Sequence, residues 1–183
     1  MPGVPSPRKD PPQSSTGLVE RLRATHLRMV DAVLGGDGLE HVARMAAEAA
    51  GAPVVIVIPR LGAAAMAGGP APLPPEQTLE EVRRYVGDRV SDRPSTVPAD
   101  VTLEVPISSG DEIVGIVVSL TSTHPPVEDA AEYLHLAAVA SLTEVAIEEA
   151  KEEVEQNLRG SFLEDLRSRP DLGPREVVRR AGR

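Results

Sequence analysis

The chain contains no cysteine. That one absence removes disulfides, thiolate metal ligands, cysteine nucleophiles and thiol-linked chromophores together. Aromatic residues are nearly missing too, with one Phe, two Tyr and no Trp among 183 residues. Nucleic-acid and flavin platforms need stacking faces that so few rings do not supply. Positive charge is short: 19 Lys and Arg stand against 28 Asp and Glu, a net charge of -9. The body of such a chain is a poor partner for phosphate backbones or anionic lipid. No apolar segment near Met1 reads as a secretion signal, and no run approaches the ~20 apolar residues of a membrane span. A soluble protein of the reducing cytoplasm, with no membrane partner, is the expectation.

Chemistry-bearing patterns are missing as well. His26, His41, His124 and His135 do not fall into a metal-ligand spacing, and no H-E-x-x-H occurs. No G-x-S-x-G elbow, Walker loop or G-x-G-x-x-G fingerprint is present, and Gly35-Gly36-Asp37-Gly38 joins two helices instead of following a strand. The paired carboxylates Glu80-Glu81 and Glu152-Glu153 fall on helical faces that solvent explains. No catalytic group, metal or cofactor is therefore expected.

What is present is a helical and strand pattern of one domain with extensions. Residues 1–16 carry Pro2, Pro5, Pro7, Pro11 and Pro12, which block helix and ladder alike, so they read as a disordered leader. Over 18–34, Leu18, Val19, Leu22, Leu27, Val30, Val33 and Leu34 recur mainly at helical steps and predict an amphipathic helix. Asp37 with Glu40 forms a capping-box signature for a second helix to about Ala50. Val54-Val55-Ile56-Val57-Ile58 is a continuous β-branched run, the pattern of a central strand covered on both faces, and 61–67 is a candidate hairpin partner. Residues 76–86 read as a short helix with Leu79, Val82 and Val86 inward, closed by Gly87. Alternation of Val101, Leu103, Val105 and Ile107 predicts a strand with one buried face, and Pro106 puts that strand at an edge or lies near its end. After the turn at Ser108-Ser109-Gly110-Asp111, the run from Ile113 to Leu120 returns as its partner. Gly115 inside that strand marks a bulge, close packing or the approach of a ligand.

A long helix is expected from Pro126 to Leu166, apolar nearly all round over 134–142 and then narrowing to Ile147, Ala150, Val154 and Leu158. Such a narrow stripe on a charged helix wants a partner helix, either a second copy of the chain or the first helix of the same chain. Gly160, with a fresh capping-box pair at Ser161 and Glu164, predicts a joint. Beyond it lies a basic tail with Arg167, Arg169, Arg175, Arg179, Arg180 and Arg183. Candidate ligand contacts are Arg60, just after the central strand, with Arg84 and Tyr85 on the middle helix, where arginine would offer its planar fork to an anionic metabolite.

The element order predicts an α+β fold with an antiparallel sheet, packed helices and a long exit helix. It resembles the GAF family of cytosolic sensor domains, carried by Ala50-Gly51-Ala52-Pro53-Val54-Val55-Ile56-Val57 and by Val105-Pro106-Ile107 with Gly110-Asp111-Glu112-Ile113-Val114-Gly115-Ile116-Val117. The stretch from Leu158-Arg159-Gly160-Ser161-Phe162-Leu163-Glu164-Asp165-Leu166 through Pro170-Asp171-Leu172 to Arg179-Arg180-Ala181 is similar to the junction that follows the sensor domain in PucR/CdaR-type bacterial transcriptional regulators. The resemblance implies a sensor domain over 17–150, and over 151–183 a connecting helix and basic tail toward a downstream domain that would hold the DNA-binding part. It implies a non-catalytic regulatory and dimerisation role, with signal passing through the exit helix to later domains and a homodimer as the working form. The alternative is a stand-alone small-molecule binding module. Cyclic-nucleotide binding is not carried over: the family's N-K-x-D-E type motif is missing, and Asn157 is the one asparagine.

Overall fold

The computed structural model describes residues 13–123 and 125–168. Its elements are α1 (Gln13–Gly35), α2 (Gly38–Ala50), β1 (Val54–Ile58), a 3-10 turn (Pro59–Leu61), β2 (Ala63–Ala67), α3 (Glu76–Val90), β3 (Val101–Ser109), β4 (Glu112–Leu120) and α4 (Ala130–Ser168). The class is α+β: helices with a four-stranded antiparallel sheet in the order β2-β1-β4-β3, and a long C-terminal helix. The chain divides into two compact units, Met1–Glu144 and Val145–Arg183, and α4 contributes residues to each.

The β-branched run of β1 sits in the centre of the sheet with every residue buried. Alternation then sends its side chains to two cores. Val55 and Val57 join Ile116, Val118 and Leu120 of β4 and pack on Val82, Tyr85 and Val86 of α3. Val54, Ile56 and Ile58 point to the opposite face, where Val105 and Ile107 of β3 share the side of Val117 through the register Val105↔Val117 and Ile107↔Gly115. Met29, Val33, Val42, Ala46 and Leu134 are buried helical residues of the first unit.

Pro106 lies on the edge strand β3, where a missing N–H costs no ladder bond on the open side. Gly115 has two reasons to be glycine. The ladder shifts register between Ile107 and Ser108, leaving Val114 opposite no partner, and a Cβ at Gly115 would come within 2.5 Å of the Val57 carbonyl oxygen. Bulge and close backbone approach therefore coincide.

Several boundaries differ from expectation. Helix α1 starts at Gln13, inside the expected leader; residues 1–12 lie outside the described residues, as does His124. Its inward stripe runs through Met29, Ala32 and Val33, whereas Val19, Leu27 and Leu34 are more than half exposed. The capping box of α2 is not made: Asp37 takes helical angles (φ -72, ψ -14) and its side chain caps nothing. Gly87 does not close α3, which continues to Val90 because Val90 still packs against the α3–sheet core. Burial of that kind outweighs the roughly 1 kcal/mol glycine costs in a helix.

Helix α4 begins at Ala130, four residues after Pro126, and ahead of it the Val127 amide donates to the Ala50 carbonyl, 3.1 Å away, which satisfies the C-terminal end of α2. Over 134–142 the helix is not buried all round, since His135 and Val139 are exposed. It also passes through Gly160 to Ser168 without a break. The expected joint is absent there, and helical hydrogen bonding needs no cap in its place. By length and composition, Ala130–Ser161 would suffice to cross a membrane, and 44% of its apolar window is buried inside the protein.

Candidate functional site

The three residues expected to hold an anion do not converge. Arg60 stands exposed in the 3-10 turn that the left-handed Gly62 terminates (φ 61). Arg84 and Tyr85 are neighbours on α3, and the ~100° between consecutive helical residues sends them different ways. Arg84 faces solvent, whereas Tyr85 is 5% exposed and turned onto the sheet. The arginine of α3 that reaches the 3-10 turn is Arg83, which lines a small hollow of about 150 Å³ with Val57, Pro59, Gly62 and Ala63 and pairs with Glu80 at 3.7 Å.

Tyr85 meets groups that lie outside that set. Its hydroxyl donates to the Glu104 carboxylate of β3, and the Arg89 guanidinium, one helical turn along α3, interacts with the same phenolic oxygen. Burial first, then the hydrogen bond to Glu104 and its negative charge, push the Tyr85 hydroxyl up to about 12 from 10.0; Arg89 works in the opposite direction. A basin of about 390 Å³ opens at this point, lined by Tyr85, Arg89, Asp92, Arg93, Ser95, Val97 and Glu104.

Between α3 and the sheet the middle is closed, and a hollow of about 300 Å³ opens at one end, where Thr78 of α3, Leu120 of β4, Leu73 and Asp100 are among its lining. Val82 and Val86 are 0% exposed, and Ala64, Met66, Leu79 and Ile113 close around them. Aliphatic side chains thus fill the middle of the space between α3 and the sheet. Elsewhere, a broad groove of about 850 Å³ runs between α2 and β2, where Arg44 Nη2 lies 2.7 Å from His41 Nδ1 and His41 stands 4.0 Å from the Asp37 carboxylate. Such exposed pairs contribute little energy. Among the described residues no group of three His, Asp, Glu or Cys side chains is placed to hold a metal ion.

The expected interface residues lie on the Val145–Arg183 unit. Ile147, Ala150 and Val154 line a shallow apolar groove of about 510 Å³ whose flanks are Lys151 and Glu155. Val154 is 57% exposed and Leu158 65%. Ion pairs one helical turn apart brace the flanks, Lys151 with Glu148 at 2.5 Å and Arg159 with Glu155 at 3.1 Å.

Neither a protein-family model, nor a curated protein, nor a solved structure matches this chain. Its site has to be judged on its own geometry. Sequence spacing paired Tyr85 with Arg84 and Arg60, but its actual partner, Glu104, is 19 residues away on another element. The signal that could have found it is the polar residue at 104, inside an alternating strand and opposite Val118 on the α3 side.

Proposed function

We propose that this chain is a non-catalytic regulatory module, a GAF-like sensor domain of a PucR/CdaR-type bacterial transcription regulator, which works in the cytoplasm as a homodimer and relays a signal through α4. The observation that carries the reading is the apolar stripe of half-buried Ile147 and exposed Ala150, Val154 and Leu158 on a helix that runs on to Ser168. From Ile147 to Leu158 the stripe extends roughly 16 Å at 1.5 Å per residue. An apolar ridge of that length between charged flanks favours a second copy of the same helix, because both ridges leave water while Lys151, Glu148, Glu155 and Arg159 stay solvated. An unbroken helix also suits a relay. Displacement of one packed helix against its mate reorients whatever follows it, provided a signal favours one arrangement over the other.

Sedimentation velocity of the full chain tests the reading. A dimer at micromolar concentration is expected, and the double substitution Val154→Glu with Leu158→Glu should return it to monomer with its circular dichroism intact. A dimer that survives both charges would place the interface elsewhere and defeat the relay through α4.

A further inference from the structure

The basin beside Tyr85 has a charge pattern that the dimer reading does not use. Helix α3 ends in a reversal: the Ser91 amide donates to the Gly87 carbonyl (3.2 Å), the Asp92 amide to Arg89 (3.3 Å) and the Arg93 amide to Asp88 (2.8 Å). Asp92 sits at φ 53, a left-handed backbone that glycine normally occupies and that aspartate tolerates better than most residues. The turn brings Asp92, Arg93 and Ser95 around the same hollow as Arg89 and Glu104.

The charges of this wall are divided. Arg93 is committed, since its Nη2 donates to Asp88 Oδ1 at 2.9 Å. Arg89 and Glu104 meet the same tyrosine oxygen, one as donor and one as acceptor. Among the described residues no side chain forms an ion pair with the Asp92 carboxylate. A cationic fork and two carboxylates therefore share one concavity, with a hydroxyl between them. A simple anion entering here gains Arg89 but meets Asp92 and Glu104; a simple amine has the converse difficulty. A molecule carrying both charges satisfies each pole at once.

We propose that this basin, at the C-terminal end of α3, binds a small polar α-amino acid, its carboxylate held by Arg89 and Ser95 and its ammonium by Glu104 and Asp92. The volume of about 390 Å³ lies at the lower end of the range of ligand pockets, which suits a compact ligand. Among the described residues Val97 is the one aliphatic side chain of the wall, so a polar ligand side chain fits better than a large apolar one. The site lies wholly within the Met1–Glu144 unit and requires no dimer.

Isothermal titration of the full chain with L-serine, L-asparagine and L-glutamine tests the assignment. Matched controls are 4-carbamoylbutanoate, which is glutamine without its amine, and 4-aminobutanamide, which is glutamine without its carboxylate. At least one of the amino acids should bind, each control should bind at least about tenfold more weakly than glutamine or not at all, and Arg89→Gln and Glu104→Gln should each weaken the amino acid by about tenfold or more. Both substitutions are at exposed positions, and urea unfolding of each variant shows whether the domain is intact. Absence of binding by all three amino acids at millimolar concentration overturns the proposal. So does carboxylate-only binding as tight as glutamine, or undiminished affinity in both folded variants. None of these outcomes bears on the association of α4, which sedimentation reads separately.

Discussion

Replacing Gly115 by alanine should be among the most damaging single-methyl changes this domain can receive. An added Cβ would lie 2.5 Å from the Val57 carbonyl oxygen and 3.1 Å from both Ile107 Cδ1 and Ile58 Cγ1. The side-chain contacts can relax by rotation, but the carbonyl cannot. Val57 belongs to the central strand, paired with Ile116 on one side and Ala64 on the other. Restoring ordinary contact requires about 1 Å of separation between β1 and β4. Overpacking of a dense core costs about 1–3 kcal/mol. Weakening one ladder hydrogen bond adds about 1 kcal/mol. The smaller conformational freedom of alanine in the unfolded chain offsets about 0.5–1 kcal/mol. The net expectation is a loss of about 1–3.5 kcal/mol, a sizeable share of the roughly 5–15 kcal/mol by which domains are stable.

Equilibrium urea unfolding followed by far-ultraviolet circular dichroism measures it, with an unchanged m-value confirming that stability alone has moved. Gly87→Ala is the paired control. Gly87 lies inside α3, and an added Cβ there would meet nothing within 4 Å, so alanine should stabilise by about 0.5–1 kcal/mol. If Gly115→Ala proved as stable as the parent, or if the two substitutions had the same sign, the close approach of β1 and β4 would be wrong.

Other expectations follow from single contacts. Because the folded value of the Tyr85 hydroxyl is raised to about 12 from 10.0, its neutral form is the one the fold stabilises; that contribution is complete below pH 10 and is lost as pH rises through about 12. Unfolding free energies measured across that window should fall more steeply for the parent than for Tyr85→Phe, and identical slopes would remove Tyr85 from the explanation. The Ser141 hydroxyl is fully buried with no hydrogen-bond partner. Ser141→Ala should therefore leave stability unchanged or raise it by up to about 1 kcal/mol, and a clear loss in thermal unfolding would mean that the hydroxyl has a partner after all. Gly160→Ala should raise the helicity of the exit helix without altering the core, because nothing lies within 4 Å of that position and the helix already passes through it. A loss of helical signal would restore the joint that spacing alone suggested.

Periodicity and β-branching made most of the fold legible. The run Val54 to Ile58 announced a central strand because five consecutive apolar β-branched residues have no polar face to offer water, and the structure buries all five. The β3–β4 hairpin was equally plain from alternation around Ser108-Ser109-Gly110-Asp111. Punctuation by glycine and capping residues misled, at Gly87, at Gly160 and at Asp37. A glycine costs a helix about 1 kcal/mol, and a cap contributes a similar amount. Side chains that gain burial further along, such as Val90, can override either. The candidate ligand contacts were the least legible part, since Arg84 and Tyr85 are adjacent in the chain yet point to different environments.

The sequence by itself determined the α+β class, the strand that would be central, the want of thiol and stacking chemistry, and the apolar stripe from Ile147 to Leu158, because these follow from local residue type and spacing. Tertiary structure alone decided that Tyr85 joins Glu104 and Arg89 and that aliphatic side chains fill the middle of the space between α3 and the sheet. Each of these depends on long-range register and burial, energies of a few kcal/mol that outweigh the fraction of a kcal/mol by which local propensities differ.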